Sequence, residues 1–305
     1  TMPGCKFLLD NNIHYYAAYR FRPSFKIITE LKATQLKAYK YLIAAVMLAG
    51  GCWGVSPARA ADEPEDIINY AYSSWIGSGF YNIGDRTVYL LRGPFSYTLR
   101  EADSEKWGLE LLLPATIGFH DNADENLGTV TFVPGLRLNY PVLDNWWLKP
   151  FGQFGFGKDF SGSDIAWIYG VGIKSLATID LKSSELDFGT AFTWADQRQS
   201  GGGSDSGFSM IDIGLNTRWP TNITVLDRKS DLNLYFVYTQ FVNDLNFERA
   251  QKDNKNVQRL YKFGIALSSE EKYPIFGLFD LRGGGLDVTF GDGYFGMGLT
   301  TGFPF

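Results

Sequence analysis

The segment Lys106–His120, KWGLELLLPATIGFH, decides the fold. Trp107, Leu109, Leu111, Leu113, Ala115, Ile117 and Phe119 take every second position, and Lys106, Gly108, Glu110, Pro114, Thr116, Gly118 and His120 mostly fill the places between. A period of two means a β-strand with two unlike faces. The alternation runs well past the usual strand length of about 5–6 residues.

The pattern recurs on both sides of this segment. In TVTFVPGLRLNY (129–140), Val130, Phe132, Leu136, Leu138 and Tyr140 oppose Thr131, Gly135, Arg137 and Asn139. In NWWLKPFGQFGFG (145–157), Leu148, Phe154 and Phe156 oppose Lys149 and Gln153. In DIAWIYGVGIKS (164–175), Ile165, Trp167, Tyr169, Val171 and Ile173 oppose Asp164, Gly170, Gly172 and Lys174. In SMIDIGLNTRW (209–219), Ile211, Ile213, Leu215 and Trp219 oppose Asp212, Gly214, Asn216 and Arg218. About twelve strands are expected: 75–83, 86–101, 105–120, 129–141, 146–159, 164–178, 184–198, 207–219, 231–244, 257–269, 273–290 and 294–305. Starting at 86 and splitting 273–290 at RGGG (282–285) also yields an even number. Loop lengths favour the first choice. It places DNADENLG, QSGGGSDS and LNFERAQKDNKN at one end and the short links ADS, VLDN and SEEK at the other, although PTNITVLDRKS at the short-link end is long.

Two-faced strands suit a soluble β-sandwich with its apolar face inward. Three features favour a transmembrane antiparallel up-and-down β-barrel instead. The strands reach the roughly 9–11 residues that cross a bilayer at a tilt. Aromatic residues gather at strand ends: Trp107, Phe119, Tyr140, Trp146, Trp147, Phe160, Trp194, Trp219 and Tyr273. The second face is charged or rich in glycine, as in an outer-membrane lumen. A net charge of -5 argues against a nucleic-acid partner.

The apolar run YLIAAVMLAGGCWGV (41–55) follows Lys32, Lys37 and Lys40 and precedes the A-x-A pattern Ala58-Arg59-Ala60. This is the layout of a secretory signal peptide, placed at 37–60 with cleavage after Ala60. A lipoprotein signal would use Cys52, but Ala49 stands where the usual Leu would be. Residues 1–36 read as an upstream extension outside the fold, and 61–73 as a periplasmic leader or a short helix in the lumen; the barrel is expected over 74–305. Cys5, Cys52 and His14 precede the cut, so the exported part would have no thiol and one histidine, His120. N-terminal sequencing of the exported protein should read from Ala61. A lipid-modified start at Cys52 would overturn the signal assignment.

The chain ends FGMGLTTGFPF (295–305). Phe295, Met297, Leu299, Thr301, Phe303 and Phe305 alternate with Gly296, Gly298, Thr300, Gly302 and Pro304, and the expectation is a closing strand whose large side chains face lipid. Together with FVPGLRLNYPV, WLKPFGQFGFGKDFSGS, IYGVGIKS and LDVTFGDGYFGMGLTTGFPF, the chain resembles the solitary outer-membrane autotransporter-like β-barrel family over most of 74–305. That resemblance implies twelve strands, a helix in the pore and residence in the outer membrane of a Gram-negative bacterium. It implies outer-membrane lipids and lipopolysaccharide as surroundings and the barrel-assembly machinery as a partner during biogenesis, with Phe295, Leu299, Phe303 and Phe305 as the assembly signal. The larger relatives carry a passenger domain, for which the segment between Ala60 and the first strand leaves no room, and the resemblance brings no catalytic residues.

Alternation predicts that Arg92, Arg100, Glu110, Arg137, Lys149, Asp164, Lys174, Asp187, Asp212, Arg218, Lys262, Asp280 and Arg282 line the lumen. They would either form cross-strand ion pairs that fill a narrow interior or make a basic pore that prefers anions. A hydrolase is a third reading. It would rest on His120 with Asp121, Asp124 and Glu125, but no H-x-S pair occurs, and a histidine in an acidic loop explains the residues as well. No cofactor, metal centre or enzymatic activity is expected. The glycines of GDGYFG and GVGIKS read as strand and turn glycines rather than phosphate loops.

Overall fold

A computed structural model describes residues 70–83, 86–121, 126–160, 165–200, 207–247, 255–275 and 279–305. One short helix, α1 (Tyr70–Trp75), precedes thirteen strand segments. These are β1 (Ser78–Ile83), β2 (Arg86–Arg100), β3 (Gly108–Asp121), β4 (Asn126–Phe132), β5 (Gly135–Leu143), β6 (Trp146–Asp159) and β7 (Ile165–Asp180). They continue with β8 (Glu185–Gln199), β9 (Phe208–Val225), β10 (Arg228–Phe247), β11 (Lys255–Ile275), β12 (Phe279–Gly291) and β13 (Tyr294–Thr300).

β4 and β5 are halves of one strand, since both pair with β3 on one side and β6 on the other. The break falls at Val133–Pro134. Proline has no N–H for the ladder, yet the Val133 N–H still reaches the Pro114 carbonyl (3.2 Å) and the Pro134 carbonyl accepts from Phe154 N–H (2.9 Å). Every neighbouring pair is antiparallel, and β1 pairs with β13 from Ser78↔Leu299 to Ile83↔Tyr294. The molecule is therefore a closed, twelve-strand antiparallel β-barrel with one short helix.

Closure comes with a large stagger. From Gly79 the pairs run one way through Leu90, Gly118 and Thr129 to Asp159, at the end of β6. The other way they run through Gly298, Asp287, Gly264, Tyr235, Asn216 and Asp187 to Thr178, beside the Ala177↔Trp146 pair at the start of β6. The two paths meet β6 a strand length apart, so the strands are steeply tilted to the barrel axis.

The structure revises four expected boundaries. Trp75 ends α1, so the first strand begins at Ser78 rather than 75. SEEK is not a turn: β11 runs on to Ile275, with an irregular register between Ser268 and Tyr273. The strand expected over 273–290 is thus the end of β11 plus β12, and the three glycines 283–285 pair regularly with Ala266–Ser268. The extra residues are accommodated on the partner strand instead. PTNITVLDRKS is not a long link either. β9 and β10 extend through it to Val225↔Arg228 and close on Leu226 and Asp227. Finally, the closing strand stops at Thr300 rather than 305.

Leu226 and Asp227 have φ of 48° and 64°. A two-residue hairpin turn with both centres left-handed favours Asn-Gly, and a leucine there is held at a cost. Leu226 is also exposed. Leu226→Asn should raise stability by about 1 kcal/mol, read as a higher urea midpoint for the refolded barrel. An unchanged midpoint would show that the turn carries no strain.

Candidate functional site

The interior has two unlike halves. The loop end, where β1, β3 and β6 finish, is apolar and built around α1. Its buried residues include Tyr70, Ala71, Tyr72, Leu90, Val133, Ile168, Ala195, Phe208, Phe241 and Leu260, with Trp75 and Met210 packed against them. Tyr72 meets the edges of Phe208 and Phe241 at ring distances of 5.7 and 5.9 Å, and Trp75 meets Phe208 at 6.1 Å. Small residues in the wall admit the helix: a Cβ at Gly170 would collide with Trp75, and one at Gly157 would press tightly on Tyr70. The polar groups of α1 are matched. Ala71 N–H donates to the buried Gln197 Oε1 (2.9 Å), and Ser74 Oγ donates to the Tyr70 carbonyl (2.8 Å) and is hydrogen-bonded with the Thr131 hydroxyl (3.0 Å). The Tyr72 hydroxyl is hydrogen-bonded with that of Tyr294.

The turn end is polar. A chain of hydrogen bonds crosses five strands from β11 to β7: Asn233 donates to Ser268 Oγ (2.6 Å), Asn216 to Asn233 Oδ1 (3.1 Å) and to Asp187 (2.8 Å), and Thr178 to the other Asp187 oxygen (2.7 Å). Arg218 pairs with Glu185 at 2.6 Å and lies 3.7 Å from Asp187. Tyr235 donates to Asp287 (3.3 Å), which is also 3.8 Å from Lys262, and Thr239 donates to Asp212. Across the interior, Arg137 pairs with Glu110, which also accepts from Asn139 (3.1 Å).

Of the residues expected to line the lumen, Glu110 and Arg137 are brought together, as are Asp187 and Arg218; Arg92, Arg137, Lys149 and Asp212 lie close enough to Lys174 for their charges to act on it, and Lys262 reaches Asp287. Arg100 instead is exposed and lies 3.8 Å over the Trp107 ring, past a register shift between Thr98 and Arg100. That shift breaks the alternation on which its placement was based. Asp164 and the side chains of His120, Asp280 and Arg282 lie outside the described residues. Asn216, already on the polar face of its strand by alternation, belongs to the network, as do Asp287, Tyr235 and Asn233. The alternation of the last three with Leu286 and Leu234 is the signal that would have found them.

Residues 301–305 change the picture most. Phe295 and Leu299 are exposed on the outer face of β13. Phe303 and Phe305, expected to continue that face, are inside. Gly302, at φ 127°, turns the chain, and its N–H and carbonyl both bond to Thr300 Oγ1 (3.1 and 2.9 Å). Phe305 then fills a notch over Gly189 and Gly214, where a Cβ would overlap its ring, and Phe303 packs on Phe305 (4.7 Å) and Tyr235 (6.0 Å). Lys149 Nζ donates to the main-chain oxygen of Phe305 (3.3 Å), and Lys174 Nζ to that of Pro304.

Among the described residues, no group of three or more His, Cys, Asp or Glu side chains is arranged to hold a metal ion. No family model and no curated protein matches the chain.

Proposed function

We propose that the chain is an integral outer-membrane β-barrel of autotransporter-like type, structural or transport-related rather than enzymatic, with its lumen closed at rest. One observation carries this reading: the large apolar side chains are on the outside. Leu91 (64% exposed), Phe154 (59%), Leu286 (60%) and Met297 (54%) share the outer face with Phe263, Ile265 and Leu299, while the turn-end interior is charged. In water, contiguous exposed apolar side chains mark a membrane or partner contact; in a bilayer such a face is the expected one. An apolar groove of about 550 Å³ on this face is bordered by Leu234, Phe263, Leu286 and Met297. Among the described residues no helix is long and apolar enough to cross a membrane, so a span here would be made by strands.

Heat-dependent gel mobility tests the membrane reading. The refolded chain should require detergent and migrate as a compact band until boiled; a protein soluble without detergent and lacking the shift would defeat it. Planar-bilayer recordings test closure. Silence is expected, because α1 packs the loop end and residues 301–305 enter the turn end. A steady open conductance would promote the second reading, a small pore or transporter, which the facing Lys149 and Lys174 favour.

A further inference from the structure

Two parts of the barrel fit each other but do not meet. β13 stops at Thr300, opposite Gly285, yet β12 runs on past this point to Phe279. Among the described residues, positions 279–284 have a ladder partner only on the β11 side. β1 also starts at this level, at Ser78↔Leu299, and β2 comes near β12 without forming a ladder with it. An open strand edge is a template for another strand. Gly284, the next position in line, has open space where a side chain would be. The existing register, continued, sets Thr301 opposite Gly284 and Phe305 opposite Asp280. Alternation would then put Phe303 and Phe305 on the outer side with Phe295 and Leu299. Instead, Gly302 turns the chain inward and both rings lie over Gly214, with Phe305 also over Gly189. A local pattern overruled by the final fold marks a place where function or strain is expected.

We propose that residues 301–305 are a strap with two seats. One is the observed position inside the turn end. The other is in the wall, where the strap continues β13 along residues 280–284 of β12. Each seat supplies what the other withholds. The inner seat gives the two rings a glycine-lined notch and leaves the β12 edge open. The outer seat gives that edge a ladder partner, less one bond at most for Pro304, which has no N–H. Gly302 is the hinge. Its φ of 127° suits glycine and few other residues, whereas the outer seat needs ordinary extended backbone. In the outer seat the strap no longer fills the turn end, while α1 still packs the loop end, so the device gates one end only. The proposal goes beyond the membrane reading and does not depend on it, since both seats are defined by the barrel itself.

Disulfide trapping tests it, in the full-length chain carrying Cys5→Ser/Cys52→Ser, refolded in detergent and oxidised with copper phenanthroline. A Cβ at Gly189 would overlap the Phe305 ring, so Gly189→Cys/Phe305→Cys is within disulfide reach in the inner seat. Asp280→Cys/Phe305→Cys is within reach only in the outer one. Both pairs should close, each in its own preparation, as read by mass spectrometry. Adding Gly302→Ala should speed the second closure and slow the first, by about tenfold in their ratio. Gly291→Cys/Phe305→Cys, at the far end of β12, should stay reduced. Closure of only one of the two test pairs, closure of neither, closure of the distant pair, or a ratio unmoved by Gly302→Ala overturns the strap. Each variant is first checked for the heat-shifted band, and Gly214→Cys replaces Gly189→Cys if that variant does not fold. A barrel that shows the shift but traps in one seat alone loses only the strap, and the membrane reading stands.

Discussion

Tyr72→Ala should destabilise the barrel by about 3–5 kcal/mol, the range for removing a large buried aromatic side chain. Tyr72 is 6% exposed and packs edge-on against Phe208 and Phe241 in the apolar half of the interior. Alanine favours a helix, so the loss would come from packing and from the cavity left behind rather than from unwinding α1. Urea unfolding of the refolded protein, followed by tryptophan fluorescence, measures it. A change below about 1 kcal/mol, the usual scale of a surface substitution, would mean that α1 is not a structural part of the closed barrel. The same variant should give brief openings in planar bilayers where the unaltered protein is silent.

Leu111→Arg should cost about 2–4 kcal/mol if Leu111 faces the middle of a bilayer. Leu111 pairs with Leu136 on the outer face, and the adjacent Glu110 pairs with Arg137 on the inner one. Glu110→Gln should cost about 1–2 kcal/mol, between the limits for exposed and buried ion pairs, because it leaves half-buried Arg137 facing a neutral amide. Unfolding in lipid vesicles should therefore rank the two variants in that order. The reverse order, or equal losses, would argue for an apolar face turned inward and against the membrane reading.

Much of the fold is legible because alternation is local. Leu109 to Phe119 and Leu136 to Tyr140 present an apolar face whatever lies beside them, and the polar residues opposite are thereby inward candidates. The same reasoning failed where one residue interrupts the count. Arg100 follows a register shift and moved to the rim. Residues 269–272 are absorbed within β11, which runs six residues past the strand end expected at 269, to Ile275. Leu226 hid the hairpin because leucine is a poor marker of a left-handed turn.

Phe303 and Phe305 mark the boundary most clearly. Their spacing continues that of Phe295 and Leu299, and local pattern assigns all four to one face. The structure sends the last two inward, since Gly302 permits the turn, Thr300 closes it, and Gly189 and Gly214, more than ninety residues away in the chain, leave room for a ring. Sequence alone determined strand character and which side of each strand is polar, because a period of two is set by the backbone of each residue and its immediate neighbours. Only the tertiary structure decided that α1 fills the loop end, that Asp187 joins Thr178 to Asn216, and that Lys149 and Lys174 meet residues 304 and 305. Those contacts depend on the stagger at which the barrel closes. Stagger belongs to the whole ring of strands, and no single segment encodes it.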